Sequence, residues 1–303
     1  MPRPRAIVSI CLPLLIFLGT SLPARAAEPD SLQGKAASII EALAPDATVA
    51  VAFRDLATGE HFGIRDELPM HPASTMKVPV MMEVYHQAAA GRLSLDDRLP
   101  VKNSFVSIAD GSPYQLDPKE DSELTLYARI GGEATLRDLI RLMITESSNL
   151  ATNLIIDKIS AGSTTAFMES LGAKGVKVLR GVEDDKAYAK GLNNVTTAQG
   201  LARLLMLLAE KSVVSERASA EMLEILLAQK FNDGIPAGLP RGIPVAHKTG
   251  SFQGVYHDAA IVMPPNRKPF VLVVLTRGID DEAKAHKLVA EIARTAYAQA
   301  VKP

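Results

Sequence analysis

Cysteine is almost missing: Cys11 is the only one in 303 residues, and it lies in a leader expected to be removed. The mature chain then has no disulfide, no thiolate metal site and no cysteine nucleophile. An excess of charge of either sign is missing too. The net charge is -1, with acidic and basic residues mixed along the chain. That leaves no basic stripe for nucleic acid and no polybasic patch for a membrane surface. Beyond the leader, no apolar run approaches the roughly twenty residues that span a bilayer. There is no internal repeat, no G-x-S-x-G elbow, no P-loop and no dinucleotide fingerprint. The six histidines (His61, His71, His86, His247, His257 and His286) show neither H-x-H nor H-E-x-x-H spacing, which argues against zinc.

What is present starts with an export signal. Arg3 and Arg5 precede an apolar stretch from Ala6 to Leu22, and small residues follow at Ala24 and Ala26. The stretch is too short and too Pro-interrupted for an anchor, so residues 1–26 are expected to be a signal peptide. The mature chain is expected to be secreted, into the periplasm if the host is Gram-negative.

The remaining chain can bury a substantial core. A helix is expected near Leu32–Leu43. Strands are expected at Ala47–Phe53 and Glu60–Ile64. From Ser74 to about Gln229 the apolar spacing is mostly three and four, as in Leu136–Ile144, Leu150–Ile159 and Ala198–Lys211. Strands return at Ile243–Gly250, His257–Met263 and Pro269–Arg277, and a last amphipathic helix covers about Asp281–Ala300. The fold class is therefore α+β: an antiparallel sheet from both chain ends with flanking helices, plus an inserted all-α domain. The expected division is 27–73 with 212–303 for the α/β domain and 74–211 for the helical one. The boundary between them is a natural cleft. A loop-rich segment, 103–132, is placed to line it.

Three short clusters carry possible chemistry. In "HPASTMKVPV", Ser74 stands three residues before Lys77, so both share one helix face. A helix N-terminus favours a developing alkoxide there, and a lysine of lowered pKa can take the hydroxyl proton. The alternative is a capping Ser74 or Thr75 and a solvated Lys77; roughly one S-x-x-K is expected by chance in a chain this long. In "ITESSNLATN", Ser147 and Asn149 fall in a turn between two helices. They either relay a proton and hold an amide, or merely end one helix and cap the next. In "HKTGS", Lys248, Thr249 and Ser251 at a strand end suit an anionic, peptide-like ligand, with Gly250 allowing close approach; the alternative is a strand end followed by a turn at Gly250. Lys248 also supplies a second cation to lower the pKa of Lys77.

The three occur once each, in order, 73 and 101 residues apart. Together they resemble the penicillin-interacting serine enzymes, most closely class A β-lactamases. The resemblance implies that Ser74 is the acylated nucleophile, Lys77 its partner and Ser147 a proton shuttle. It implies that Asn149 binds the substrate's side-chain amide and that Lys248, Thr249 and Ser251 hold its carboxylate. The backbone N–H groups of Ser74 and Ser251 would form the oxyanion hole. The implied partner is a small molecule, a β-lactam or a D-Ala-D-Ala-like peptide, bound by a monomer that needs no cofactor, no nucleic acid and, once mature, no membrane. Arg277, at a strand end, is a candidate helper for a carboxylate.

Two departures stand out. Ser148 occupies the middle position where the family usually has aspartate. The E-x-x-L-N pattern that activates the hydrolytic water is missing: Glu183 has Ala187 four residues on, and Leu192-Asn193 sits in another register. Glu183 is the candidate base, with Asn193 or Asn194 as candidate replacements for the amide; the alternative is an exposed acidic cluster, "EDD". The rival functions are a D-Ala-D-Ala peptidase and a penicillin-binding protein that stays acylated.

Overall fold

A computed structural model describes residues 28–302; the expected signal peptide and its cleavage site lie outside them. In chain order the first elements are α1 (Leu32–Leu43), β1 (Thr48–Asp55), β2 (His61–Ile64) and α2 (Lys77–Ala89). Short pairs follow, β3 (Arg98–Pro100), β4 (Phe105–Val106), β5 (Pro113–Tyr114) and β6 (Glu133–Thr135). Then come α3 (Leu136–Thr145), α4 (Asn149–Ile159), α5 (Ala161–Ser170), α6 (Asp185–Ala189), α7 (Ala198–Ala209) and α8 (Glu216–Leu227). The chain closes with β7 (Val245–Phe252), β8 (Val255–Val262), β9 (Phe270–Arg277) and α9 (Glu282–Ala300).

The sheet order is β2-β1-β9-β8-β7, with every neighbouring pair antiparallel. Strands from both chain ends therefore meet in its middle, where Thr48 pairs with Arg277 and Asp55 with Phe270. This is the expected α+β architecture. Alternation along the strands sorts their side chains into two cores. Val49, Val51 and Phe53 join Leu272 and Val274 beneath α1 and α9. Ala50 and Ala52 join Val271, Val273 and Leu275 against the helical half, whose core also takes in Met222 and Leu226 of α8. β9 is buried on both faces, which is why "FVLVVL" reads as a continuous apolar run rather than an alternating one.

Helix α2 is the axis of the helical half. Val78, Val80, Met81, Met82 and Val84 are fully buried, and so is Lys77. A helix covered on all sides needs no amphipathic stripe. Its proline, Pro79, sits in the first turn, where no intrahelical N–H bond is lost.

Candidate active site

The first cluster differs from the expected helix start. Residues Ala73–Met76 form a 3-10 turn that runs directly into α2, and no side chain caps it. Thr75 spends its hydroxyl on the Pro72 carbonyl (2.6 Å). Neither Ser74 nor Thr75 is therefore an N-cap, and Lys77 is not solvated. Ala73 has φ +45, a left-handed value that is costly for a residue with a Cβ and is held by its surroundings. One restraint is His257, whose ring Nε2 donates to the His71 carbonyl at 2.9 Å, while the Thr276 N–H donates to its Nδ1 at 3.0 Å. Burial holds this ring neutral, down to about 4.

Strand β7 runs alongside that turn. A Cβ on Gly250 would lie 2.9 Å from the Ser74 nitrogen and 3.1 Å from the Ala73 Cβ. Only glycine lets the two backbones abut, so the K-T-G glycine is a spacing device between strand and nucleophile.

The second cluster closes the site. Ser147 has φ +60, and Ser148 caps α4 by accepting from the Ala151 N–H at 3.2 Å. The turn thus does both things the sequence left open: Ser148 caps while Ser147 and Asn149 face the cleft. The Lys77 ammonium donates to the Ser147 carbonyl (2.6 Å), the Ser147 hydroxyl (3.2 Å) and the Asn149 Oδ1 (2.8 Å). The Lys248 ammonium donates to the same Ser147 hydroxyl at 3.0 Å and to the Thr249 carbonyl at 2.8 Å. A hydroxyl oxygen has two lone pairs. With both taken by lysines, the Ser147 proton has to point away from them, free to be donated.

Both lysines are fully buried. Burial lowers the pKa of Lys77 to about 7, against the opposing pull of Asp121 and Glu183. Burial, and then the Lys77 charge beside it, lowers Lys248 well below the ordinary lysine value, and Asp258 pulls the other way. A lysine near 7 exchanges protons at neutral pH.

Glu183 is in the site and is not a solvated acid. Its Oε1 accepts from the Asn149 amide at 2.8 Å and its Oε2 from the Asp117 N–H at 3.0 Å. Burial raises its pKa, the two donors oppose that, and Asp121 and Glu120 add to it. The amide bonded to Glu183 is therefore that of Asn149, not Asn193 or Asn194. Asn193 accepts from the Arg180 guanidinium, and the Asn194 Oδ1 accepts from the Leu179 and Arg180 N–H groups. Asp121, which the sequence did not flag, is buried and accepts from the Asn149 and Leu150 N–H groups, both at 2.9 Å. It holds the start of α4, where an anion also favours the helix dipole.

Ser74 lies on the wall between two cavities. One, of about 240 Å³, is lined by Ser74, Ser147, Asn149, Thr249, Ser251 and others. The other, of about 190 Å³, is lined by Ser74, Asn149, Glu183, Asn194, Ser251 and others. The first and third clusters thus face one cleft, and Glu183 faces it from the second cavity. Arg277 is not in either lining; it is exposed and reaches only the Thr48 hydroxyl at 3.4 Å. Among the described residues, no group of three or more His, Cys, Asp or Glu side chains is placed to hold a metal ion.

Two buried ammonium groups meeting at one hydroxyl, with a serine and a carboxylate on the same cleft, are the site of a penicillin-interacting serine hydrolase. The chain belongs to the beta-lactamase enzyme family, whose model matches residues 33–300. It is 25% identical over 258 residues to beta-lactamase SME-1 of Serratia marcescens, covering 83% of each chain. It is similar to the solved beta-lactamase of Sphaerobacter thermophilus, with 26% identity, a TM-score of 0.77 and coverage of 90% of this chain and 100% of that one. A mutant of PBP-A, solved as an acyl-enzyme complex with penicillin G, matches with 26% identity and a TM-score of 0.76, over 88% of this chain and 95% of that one.

Proposed function

We propose that the protein is a class A-type serine β-lactamase, with Ser74 as nucleophile and Glu183 as the base for hydrolysis. The observation that carries this is the Ser147 hydroxyl accepting from Lys77 and Lys248 at once. The Ser74 oxygen attacks the lactam carbonyl carbon while its proton passes to neutral Lys77. The ring C–N bond breaks, and the nitrogen takes the outward-pointing Ser147 proton, which Lys77 replaces. Lys248, Thr249 and Ser251 are the groups available to the substrate carboxylate. In the second half Glu183 takes a proton from water, the oxygen adds to the ester carbon, and Ser74 leaves with a proton returned to it. The leader pattern supports action outside the cytoplasm.

Glu183 supports hydrolysis over a protein that stays acylated, because only turnover of the ester needs a base beside it; release of penicilloate separates a β-lactamase from a peptidase that penicillin inactivates. Intact-mass analysis after mixing with benzylpenicillin tests the reading. A transient adduct at Ser74 with released penicilloate is expected, and Ser74→Ala should give none. A persistent adduct would favour the penicillin-binding alternative; no adduct would remove the assignment.

A further inference from the structure

Glu183 has φ +58, in the left-handed region, on a loop rather than an element. Such a conformation persists only where the neighbours fix it. The loop is closed at its base: Lys177 and Val195 exchange N–H···O bonds of 2.9 Å in both directions. Its stem is filled from within by the Arg180 guanidinium, bonded to the Leu192 and Gly181 carbonyls and to Asn193. None of these reaches the tip at Glu183.

The tip is held by other elements. Before Glu183, the Val182 N–H donates to the Asn153 Oδ1 at 2.7 Å, and the Val182 carbonyl accepts from the Asn153 amide at 3.0 Å and the Tyr114 hydroxyl at 3.4 Å. After Glu183, the Asp184 carboxylate is buried, 1% exposed. Its Oδ1 accepts from the Ser107 hydroxyl at 2.7 Å and its Oδ2 from the Ile108 N–H at 3.0 Å. The Ala187 N–H, which a helix cap alone would require, is the weaker third at 3.1 Å. Ser107, Ile108 and Tyr114 all belong to the β4–β5 hairpin. That hairpin is itself rooted by Phe105, which is buried, and by paired bonds of 2.9 Å between Asn103 and the Leu116 backbone. The outer contacts, Lys186 to Ser112 and Lys190 to the Ala109 carbonyl, are exposed and contribute little.

We propose that the 103–116 segment is the positioning element for hydrolysis, gripping the base loop through Asp184 and so setting where the Glu183 carboxylate stands. This rests on the reading of Glu183 as the base. Asp184 is a positioning residue and does not touch the substrate. The hydrogen bonds of Lys77, Ser147 and Lys248 involve none of residues 103–116. Loosening the grip therefore slows breakdown of the acyl-enzyme and spares its formation.

The experiment uses the full mature chain and a chromogenic cephalosporin. Stopped-flow bursts read acylation, the steady state reads deacylation, and intact mass reads the adduct. Asp184→Asn should leave acylation within about twofold and slow deacylation by about 10- to 100-fold, the scale of a misplacement near 1 Å. Ser107→Ala should act in the same direction with a smaller effect, and it carries the test if Asp184→Asn does not fold. Lys190→Ala should change neither step. Wild-type deacylation in Asp184→Asn, or both steps falling together in the folded variants, would overturn the inference. Glu183→Gln separates the two ideas. If it accumulates adduct while the Asp184 and Ser107 variants do not, only the positioning role fails. If it turns over like wild type, the base assignment itself fails.

Discussion

The two halves of the site are built differently. The proposed acylating half is held by regular elements: a 3-10 turn entering α2, the start of α4 and strand β7, meeting around two fully buried lysines. The proposed deacylating half is a closed loop whose key residue, Glu183, is half-buried and left-handed; its carboxylate bonds Asn149 of α4, and its neighbour Asp184 bonds the hairpin. One half is fixed by packing and the other by a few polar contacts. Packing tolerates small surface changes; a polar clasp is lost with one atom.

That contrast can be broken or sharpened by experiment. Lys77→Met should slow adduct formation by roughly 10²–10⁴-fold, the usual weight of a positioned base, read by stopped-flow burst rate. An equal effect on deacylation alone would reverse the assignment of the two halves. Acidification is the next lever. With neutral Lys77 as the proposed proton acceptor and burial lowering its pKa to about 7, acylation should fall about 100-fold two pH units below that value. The hydrolytic limb belongs to Glu183, which must be ionised; it lies above the ordinary carboxylate range but is a separate limb in a pH series. The same lysine shapes stability. Between about 7 and the ordinary lysine value of 10.5 the unfolded chain holds a proton that the native chain does not, so stability rises with pH across that window. Gly250→Ala should follow, with about a tenfold loss of acylation and about 1–3 kcal/mol of stability, because the new Cβ forces strand and nucleophile apart. Denaturant melts together with burst rates check it. The smallest change is Ser148→Ala, which removes a helix cap and should cost about 1 kcal/mol in chemical denaturation with little effect on either rate.

The acylating half was legible because its residues sit at short spacings on elements with a clear hydrophobic period. Ser74 and Lys77 share a turn, and Ser147 and Asn149 flank a cap. Lys248 lies within a strand, β7, which runs on past the expected end at Gly250 to Phe252 and whose glycine is needed for close approach. The helix start at Ser74 was misread because a 3-10 turn has no side-chain cap to announce it. The deacylating half was legible only as a doubt about Glu183. Its true partner, Asn149, is 34 residues away, and Asp184 is bound 77 residues from Ser107. Contacts of that range leave no periodic trace in a single sequence. Asp121 escaped notice for the same reason. It sits among other acids in a loop-rich stretch and is distinguished by the Asn149 and Leu150 N–H groups it accepts. Arg277 does stand at a strand end, but its exposed side chain reaches the Thr48 hydroxyl and lines neither cavity.

The pairing of Thr48 with Arg277 also ties the site to the whole length of the chain. The strand that bears Lys248 is joined to the N-terminal strands only through β8 and β9. A chain that has emerged as far as the helices carries Ser74 and Lys77 but has no second ammonium beside them and no backbone against the serine turn. Closing such long loops is slow, so chemical competence arrives last, as a property of the finished sheet.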